Sequence, residues 1–322
     1  MWVITKIKFM NKEEQIKYIE ENFPFSSGIH SKRRVRQDFF SSIDTELQAY
    51  LLGFYASDGN INEKRKTLRI HLQDRDSEIV YLFKDTICPD ARVFKRPAKT
   101  PEIGRGGKII YNNGSFGVDI NSSKICKDLV NLGFGYAKTY TENHLPNINK
   151  SLIRHFIRGY FDGDGTISGH YVKPDIKWKK RENFRSYVSI CCKTKSLLNE
   201  IHEFLKENDI TSTICQDKRD RMYIISIAKL KLPKLFHLLY DDSNFYLKRK
   251  YDKFSHFVNT EVTQLIAEYR NAQKVNVSDS DNPSTSAEHP NRVKMCAELI
   301  GNCENSEIKS SEDNKIEVFQ KF

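Results

Sequence analysis

Apolar positions along this chain follow two periods, and the order in which those periods alternate occurs twice. In Thr67-Leu68-Arg69-Ile70-His71-Leu72-Gln73 every second residue is apolar, the pattern of a strand with one buried face. Ser77 to Ile87 changes to the spacing of an amphipathic helix. Strand-like segments follow at 91–97 and 115–121, and 124–132 reads as a helix. Ahead of these lies a largely apolar helix, with Thr45 and Gln48 at capping-box spacing before it and Gly59 ending it. The second half repeats the order: a helix from Ser151, strands at 166–171 and 186–193, a helix at 196–207, strands at 211–216 and 222–228, and a helix beginning near Leu232. Each half therefore reads αββαββα, and an internal repeat of about a hundred residues predicts pseudo-twofold symmetry.

The periods divide the chain into a polar leader (1–43), a first repeat (44–148), a second repeat (149–258) and a polar tail (259–322). Asn11 to Glu20 in the leader looks helical. Ser31-Lys32-Arg33-Arg34-Val35-Arg36 is a basic run, read either as a solvated linker or as an arm that grips a polyanion backbone. Ser278-Asp279-Ser280-Asp281-Asn282-Pro283-Ser284-Thr285-Ser286 is polar and of low complexity, so the tail from about 272 reads as disordered.

Composition narrows the class. No stretch approaches the ~18 or more uninterrupted apolar residues of a membrane span. The start, Met1-Trp2-Val3-Ile4-Thr5-Lys6, does not read as a signal peptide, so the expected location is intracellular, in cytoplasm or an organelle. The 7 cysteines contain no Cys-x-x-Cys pair, which argues against a zinc ribbon or a disulfide framework. The net charge of +10 is unevenly spread: from Thr260 onward 7 Lys and Arg face 11 Asp and Glu, leaving 45 against 31 before it. A body of net charge +14 favours a polyanionic partner, most often nucleic acid.

The candidate chemistry lies in two matching segments, Leu51-Leu52-Gly53-Phe54-Tyr55-Ala56-Ser57-Asp58-Gly59 and Ile157-Arg158-Gly159-Tyr160-Phe161-Asp162-Gly163-Asp164-Gly165. The partial negative charge at a helix C-terminus disfavours an Asp there unless a cation compensates. Gly53 and Ala56, like Gly159 and Gly163, share a helix face, and small residues let two backbones approach closely. Packed side by side, the two helices would bring Asp58 and Asp164 together, where they would raise each other's pKa or recruit divalent cations. Oxygen-only ligands with open positions suit Mg²⁺, the equipment for metal-assisted phosphodiester hydrolysis. A calcium loop does not fit: with Asp162 and Asp164 at positions 3 and 5, positions 1 and 12 fall on Tyr160 and Tyr171.

Both motifs resemble those of the LAGLIDADG homing endonucleases, and the duplicated order is similar to that family's single-chain, two-repeat form. The likeness covers roughly 45 to 255, including a closing stretch from Leu239-Tyr240-Asp241-Asp242 to Tyr246-Leu247-Lys248-Arg249-Lys250-Tyr251. It implies an α+β fold in which each repeat forms a four-stranded antiparallel sheet and the two sheets make a DNA-binding saddle. It further implies that Asp58 and Asp164 bind Mg²⁺, with backbone carbonyls of Ser57 and Gly163 completing the shell. Asp162 has Ala56 as its counterpart, so one acid per motif matches the family pattern. Many members carry a lysine where the fourth strand meets the last helix. Lys229 supplies it in the second repeat, as a catalytic group or a phosphate contact, whereas the first repeat has Asn121 there.

A β-ribbon fits the major groove, and alternate residues of a strand share a face. Arg69, His71 and Gln73 share one; Arg92, Lys95 and Arg96 follow on the next strand; Arg185, Lys193, Lys218, Arg219 and Arg221 are the second repeat's candidates for base or phosphate contacts. The basic loops 100–108 and 173–181 are expected to clamp the flanks. The expected function is a monomeric, Mg²⁺-dependent, site-specific endonuclease acting on a long target in double-stranded DNA. The alternatives on the same scaffold are an intron maturase acting on RNA and a non-cleaving DNA-binding regulator.

Overall fold

The computed structural model describes residues 10–27, 33–103, 109–138, 141, 143–172, 183–217 and 221–259; for 99, 109–112, 170–172, 183–185 and 229 it describes the backbone alone. The leader contributes α1 (Lys12–Asn22) and a ribbon of β1 (Ser26–Ser27) with β2 (Arg34–Val35). The first repeat runs α2 (Glu46–Asp58), β3 (Asn60–Asn62), β4 (Thr67–Gln73), α3 (Ser77–Ile87), β5 (Val93–Arg96), β6 (Lys99–Ile103), β7 (Ile109–Asn112), β8 (Ser115–Asn121) and α4 (Ser123–Asn131). The second runs α5 (Lys150–Asp164), β9 (Gly165–Val172), β10 (Asn183–Cys192), α6 (Lys195–Glu207), β11 (Thr213–Asp217), β12 (Met222–Ala228) and α7 (Leu232–Tyr240), and a closing helix begins at Lys248.

The fold is α+β, with one four-stranded antiparallel sheet in each repeat. Sheet orders β3-β4-β8-β5 and β9-β10-β12-β11 are the same topology, since in both the fourth strand lies between the second and the third. The alternation predicted for β4 holds from Leu68 onward: Leu68, Ile70 and Leu72 are buried, Arg69 is half-buried, and His71 and Gln73 are exposed. The segment expected as a loop at 100–108 is in part a hairpin, in which β6 pairs with β7, and its residues 104–108 lie outside the described set. The 173–181 loop also lies outside it.

The core is organised around α2 and α5. Thr45 and Gln48 form the predicted capping box, and every residue from Glu46 to Ala56 is buried, as befits a helix apolar all round. The two helices touch backbone to backbone through a reciprocal pair of glycines. A Cβ on Gly53 would fall 2.0 Å from the Phe156 carbonyl oxygen, and one on Gly159 would fall 2.1 Å from that of Tyr50. Only glycine permits that approach.

On α5, facing the N-terminal end of α2, Arg158 is fully buried. It donates to Glu46 Oε1 at 2.6 Å, to the carbonyls of Phe245 and Leu239, and to His155 Nδ1 at 2.7 Å. Arg158→Met would remove the cation paired with the buried Glu46 carboxylate and leave it only neutral donors from Gln15, Asn244 and Phe245, and we expect a loss of about 3 kcal/mol, read from urea unfolding. Burial, then the charges of Arg158 and Arg154, push the His155 pKa from 6.5 down to about 2. The folded protein therefore excludes a proton that the unfolded chain takes up below pH 6.5, so the contribution of His155 to stability falls as pH drops from 6.5 toward 2. The expected slope is about 1.4 kcal/mol per pH unit. His155→Asn, which accepts a hydrogen bond but does not titrate, should flatten it in urea titrations at pH 7 and 5.5.

The described part of the leader packs on this body. Gln15 donates to Glu46 Oε2 and accepts from the Leu47 amide, both at 3.0 Å. Arg36 is buried and donates to the carbonyls of Phe23 and Thr86, while Arg34 pairs with Asp90 through two bonds of 3.0 and 2.9 Å. The Arg36 guanidinium is therefore engaged inside the protein, whereas Arg34, its side chain 57% exposed, holds Asp90 at the surface. Ser31 and Lys32 lie outside the described residues.

Candidate active site

Each motif helix stops at its Asp because the next residue leaves the helical region. Gly59 (φ −74°, ψ 161°) and Gly165 (φ −75°, ψ 150°) are extended, in a conformation open to any residue. Glycine is required there for space. A Cβ on Gly59 would lie 2.2 Å from the Tyr55 ring, and one on Gly165 would lie 2.0 Å from the ring of Phe161, the equivalent residue. The turn thus folds the chain tightly over an aromatic ring and leaves the carboxylate at the helix crossing. Gly163 completes the crossing, since a Cβ there would meet Ser57 Oγ at 1.8 Å and Asp58 Oδ2 at 2.7 Å.

Burial raises the pKa of both acids. Asp58 is pushed up to about 6, first by desolvation and then by the charge of Asp164, against the opposing pull of Lys250 and Lys138. Asp164 is also raised by burial, with Lys138 and Lys250 pulling the other way. Two desolvated carboxylates side by side gain from any cation placed between them. Among the described residues no cluster of three His, Cys, Asp or Glu offers a softer metal site. The donor set is all oxygen, which fits Mg²⁺ with retained waters and substrate phosphate as further ligands.

The carbonyls expected to join that shell already have partners. Lys138 Nζ donates to the carbonyls of Ser57 (2.6 Å) and Ala56 (2.7 Å). Lys250 Nζ donates to those of Gly163 (2.9 Å), Phe161 (2.7 Å) and Gly165 (2.7 Å). A carbonyl oxygen has two lone pairs, so each can hold a lysine and a cation together. Both ammonium groups are buried, which lowers their pKa, Lys250 to about 8.

Asp162 is spent on structure. Only 1% exposed, it accepts from the hydroxyls of Tyr50 and Tyr240 at 2.9 Å and from the Leu247 amide at 2.7 Å. Asn121, at the end of β8, accepts from Thr67 Oγ1 at 2.7 Å. Lys229 opens a short 3-10 turn after β12, and its side chain lies outside the described residues.

On the first sheet Arg69, His71 and Gln73 share the face turned from the core. Asp119, opposite Arg69 in register, lies 3.4 Å from Arg69 Nε and 3.0 Å from His71 Nε2. Phe94 packs edge-on against His71 above Gly117. Arg92 and Arg96 lie at the same parity as Phe94 around β5, but Lys95 does not. Neighbouring strand residues point to opposite faces, and Lys95 sits over the Phe116 ring near Asp74. The three candidates of this strand therefore divide between its two faces. In the second repeat Lys193 follows β10 and Arg221 sits at φ +53° in the turn before β12; both are exposed. Lys218, Arg219 and the side chain of Arg185 lie outside the described residues.

Lys138, Lys250 and Asp119 belong to these sites yet carry no signal in the periodicities. Lys250 lies in the closing stretch, whereas Lys138 follows the first repeat's last helix with no motif around it.

Residues 151–239 match the family model of the LAGLIDADG-like domain. No curated protein matches the chain. Among solved structures the chain is similar to LAGLIDADG meganuclease I-AabMI bound to uncleaved DNA, with TM-score 0.46, 11% identity, and coverage of 73% of this chain and 99% of that one. It is also similar to I-SmaMI bound to an uncleaved DNA target in the presence of calcium ions (TM-score 0.41, 12% identity, 80% and 98% coverage). Mesophilic variants of the homing endonuclease I-DmoI give TM-score 0.37 at 17% identity, covering 60% of this chain and 88% of those.

Proposed function

We propose, from the premise that residues 151–239 are a LAGLIDADG-like domain and that residues 46–131 repeat its topology, that this chain is a site-specific endonuclease of double-stranded DNA. The observation that carries the reading is the reciprocal crossing of α2 and α5, which sets one desolvated carboxylate from each repeat beside the other. A binder has no use for two carboxylates facing phosphate, and a plain core would not bury them. The basic body and the outward row of Arg69, His71 and Gln73 supply phosphate and base contacts.

Asp58 and Asp164, with the carbonyls of Ser57 and Gly163, are the residues that would hold divalent cations, Mg²⁺ by their hardness. A cation bound there supplies positive charge to the scissile phosphates. The chain's own part is to orient the two acids, keep their surroundings dry and fix the duplex across the sheets. To Lys229, which follows β12, we assign a contact with phosphate or the attacking water. One chain brings both acids, so a monomer suffices, and a long target follows from the number of candidate contacts on two sheets.

The test is incubation with a library of randomised duplexes and Mg²⁺, followed by sequencing of cut ends. Recurrent double-strand cuts at one sequence support the reading. Tight, specific DNA binding without cutting would assign the chain to the non-cleaving regulators, and selective binding of structured RNA to the maturases.

A further inference from the structure

Lys138 and Lys250 occupy equivalent places although they come from different kinds of segment. Each is buried, each donates to the carbonyl before its motif's acid, Ser57 or Gly163, and each stands over the equivalent ring. The ammonium of Lys138 is 5.9 Å from the Tyr55 centroid, and that of Lys250 is 5.3 Å from the Phe161 centroid. Lys138 follows α4, near the end of the first repeat. Lys250 lies in the closing segment, whose neighbours Arg249 and Lys248 bond to Asp76 and Glu78 of the first repeat. A cation at a helix C-terminus offsets the partial negative charge of its carbonyls, which an Asp at that end otherwise makes worse.

We propose that Lys138 and Lys250 are a matched pair of positioning residues, each tying down the last turn of one motif helix so that its carboxylate is set for one DNA strand. Neither lysine is given a step on the reacting atoms: the charges of both bear on both acids, and what separates them is the carbonyl each one holds, Ser57 for Lys138 and Gly163 for Lys250. The inference rests on the nuclease reading for its strand assignment and on geometry alone for its local part.

Two measurements test it. On an end-labelled duplex with each strand followed separately, Lys138→Met should slow one strand about 10–100-fold, the scale of lost ligand-orienting partners, and Lys250→Met the other. Equal slowing of both strands by either variant would overturn the assignment, because general destabilisation has no strand preference. Hydrogen exchange by mass spectrometry reads the protein alone. Lys138→Met should speed exchange at the end of α2 and leave the end of α5 unchanged, with the reverse for Lys250→Met. Exchange that rises equally at both ends overturns the local claim. If a Met variant does not fold, Lys→Gln, which keeps a donor without the charge, takes its place in both measurements. A wild type that cuts neither strand overturns the nuclease reading and the strand assignment with it, while exchange still decides the local claim.

Discussion

Asp58→Asn and Asp164→Asn should each lower double-strand cleavage by about 10²–10³-fold, the scale on which loss of one preorganised electrostatic partner is felt. The amide keeps the shape of the carboxylate and removes its charge, so the helix crossing survives. The candidate DNA contacts sit on the sheets, and one negative charge fewer beside phosphate does not oppose association. Duplex affinity, measured by fluorescence anisotropy with Ca²⁺ or EDTA, should stay within about threefold of wild type, since surface-scale electrostatic changes are worth ~1 kcal/mol or less. Nicking is the most that either variant retains. Undiminished double-strand cutting by either would remove the paired acids from the chemistry.

The second large effect concerns the glycines of the crossing. Gly53→Ala places a methyl group 2.0 Å from the Phe156 carbonyl oxygen, and Gly159→Ala does the same 2.1 Å from that of Tyr50. The obstacle is backbone in both cases, so no rotamer change relieves it and the helices must separate. Overpacking of this kind costs up to about 3 kcal/mol, which corresponds to a fall of roughly 10 °C in Tm for a body of this size. Separation also moves Asp58 away from Asp164, so cleavage should fall even at temperatures where the variants stay folded. One separation relieves both clashes, so the double variant should cost clearly less than the two single losses added together. Additive losses in thermal unfolding would mean that the two contacts yield independently.

Much of the fold is legible in short windows of sequence. The alternation of β4 and the capping box of α2 are set by neighbours within a few residues, and both occur where the pattern places them. The segment at 222–228 is β12. The hairpin of β6 and β7 was not legible, because Pro101 and the glycines at 104, 106 and 107 read as loop chemistry while the strands find their partners only in each other. Lys95 and Arg96 show how far the period alone reaches: neighbours on one strand, they are assigned to opposite faces by the sequence itself.

By itself the sequence determined the order of elements, the duplication and the two acids at matching helix ends, because periodicity, caps and repeats are properties of the chain read locally. Only the tertiary structure decided what surrounds those acids. Gly53 meets Phe156, Lys138 reaches back to Ser57, and Lys250 crosses to Gly163, each across a separation that no local pattern spans. It also buried Arg36 against carbonyls of the protein and turned Asp162 into a buried acceptor. A charged side chain's role depends on which partners folding brings within about 3 Å of it, and distance in space is the one quantity that spacing along a chain does not carry.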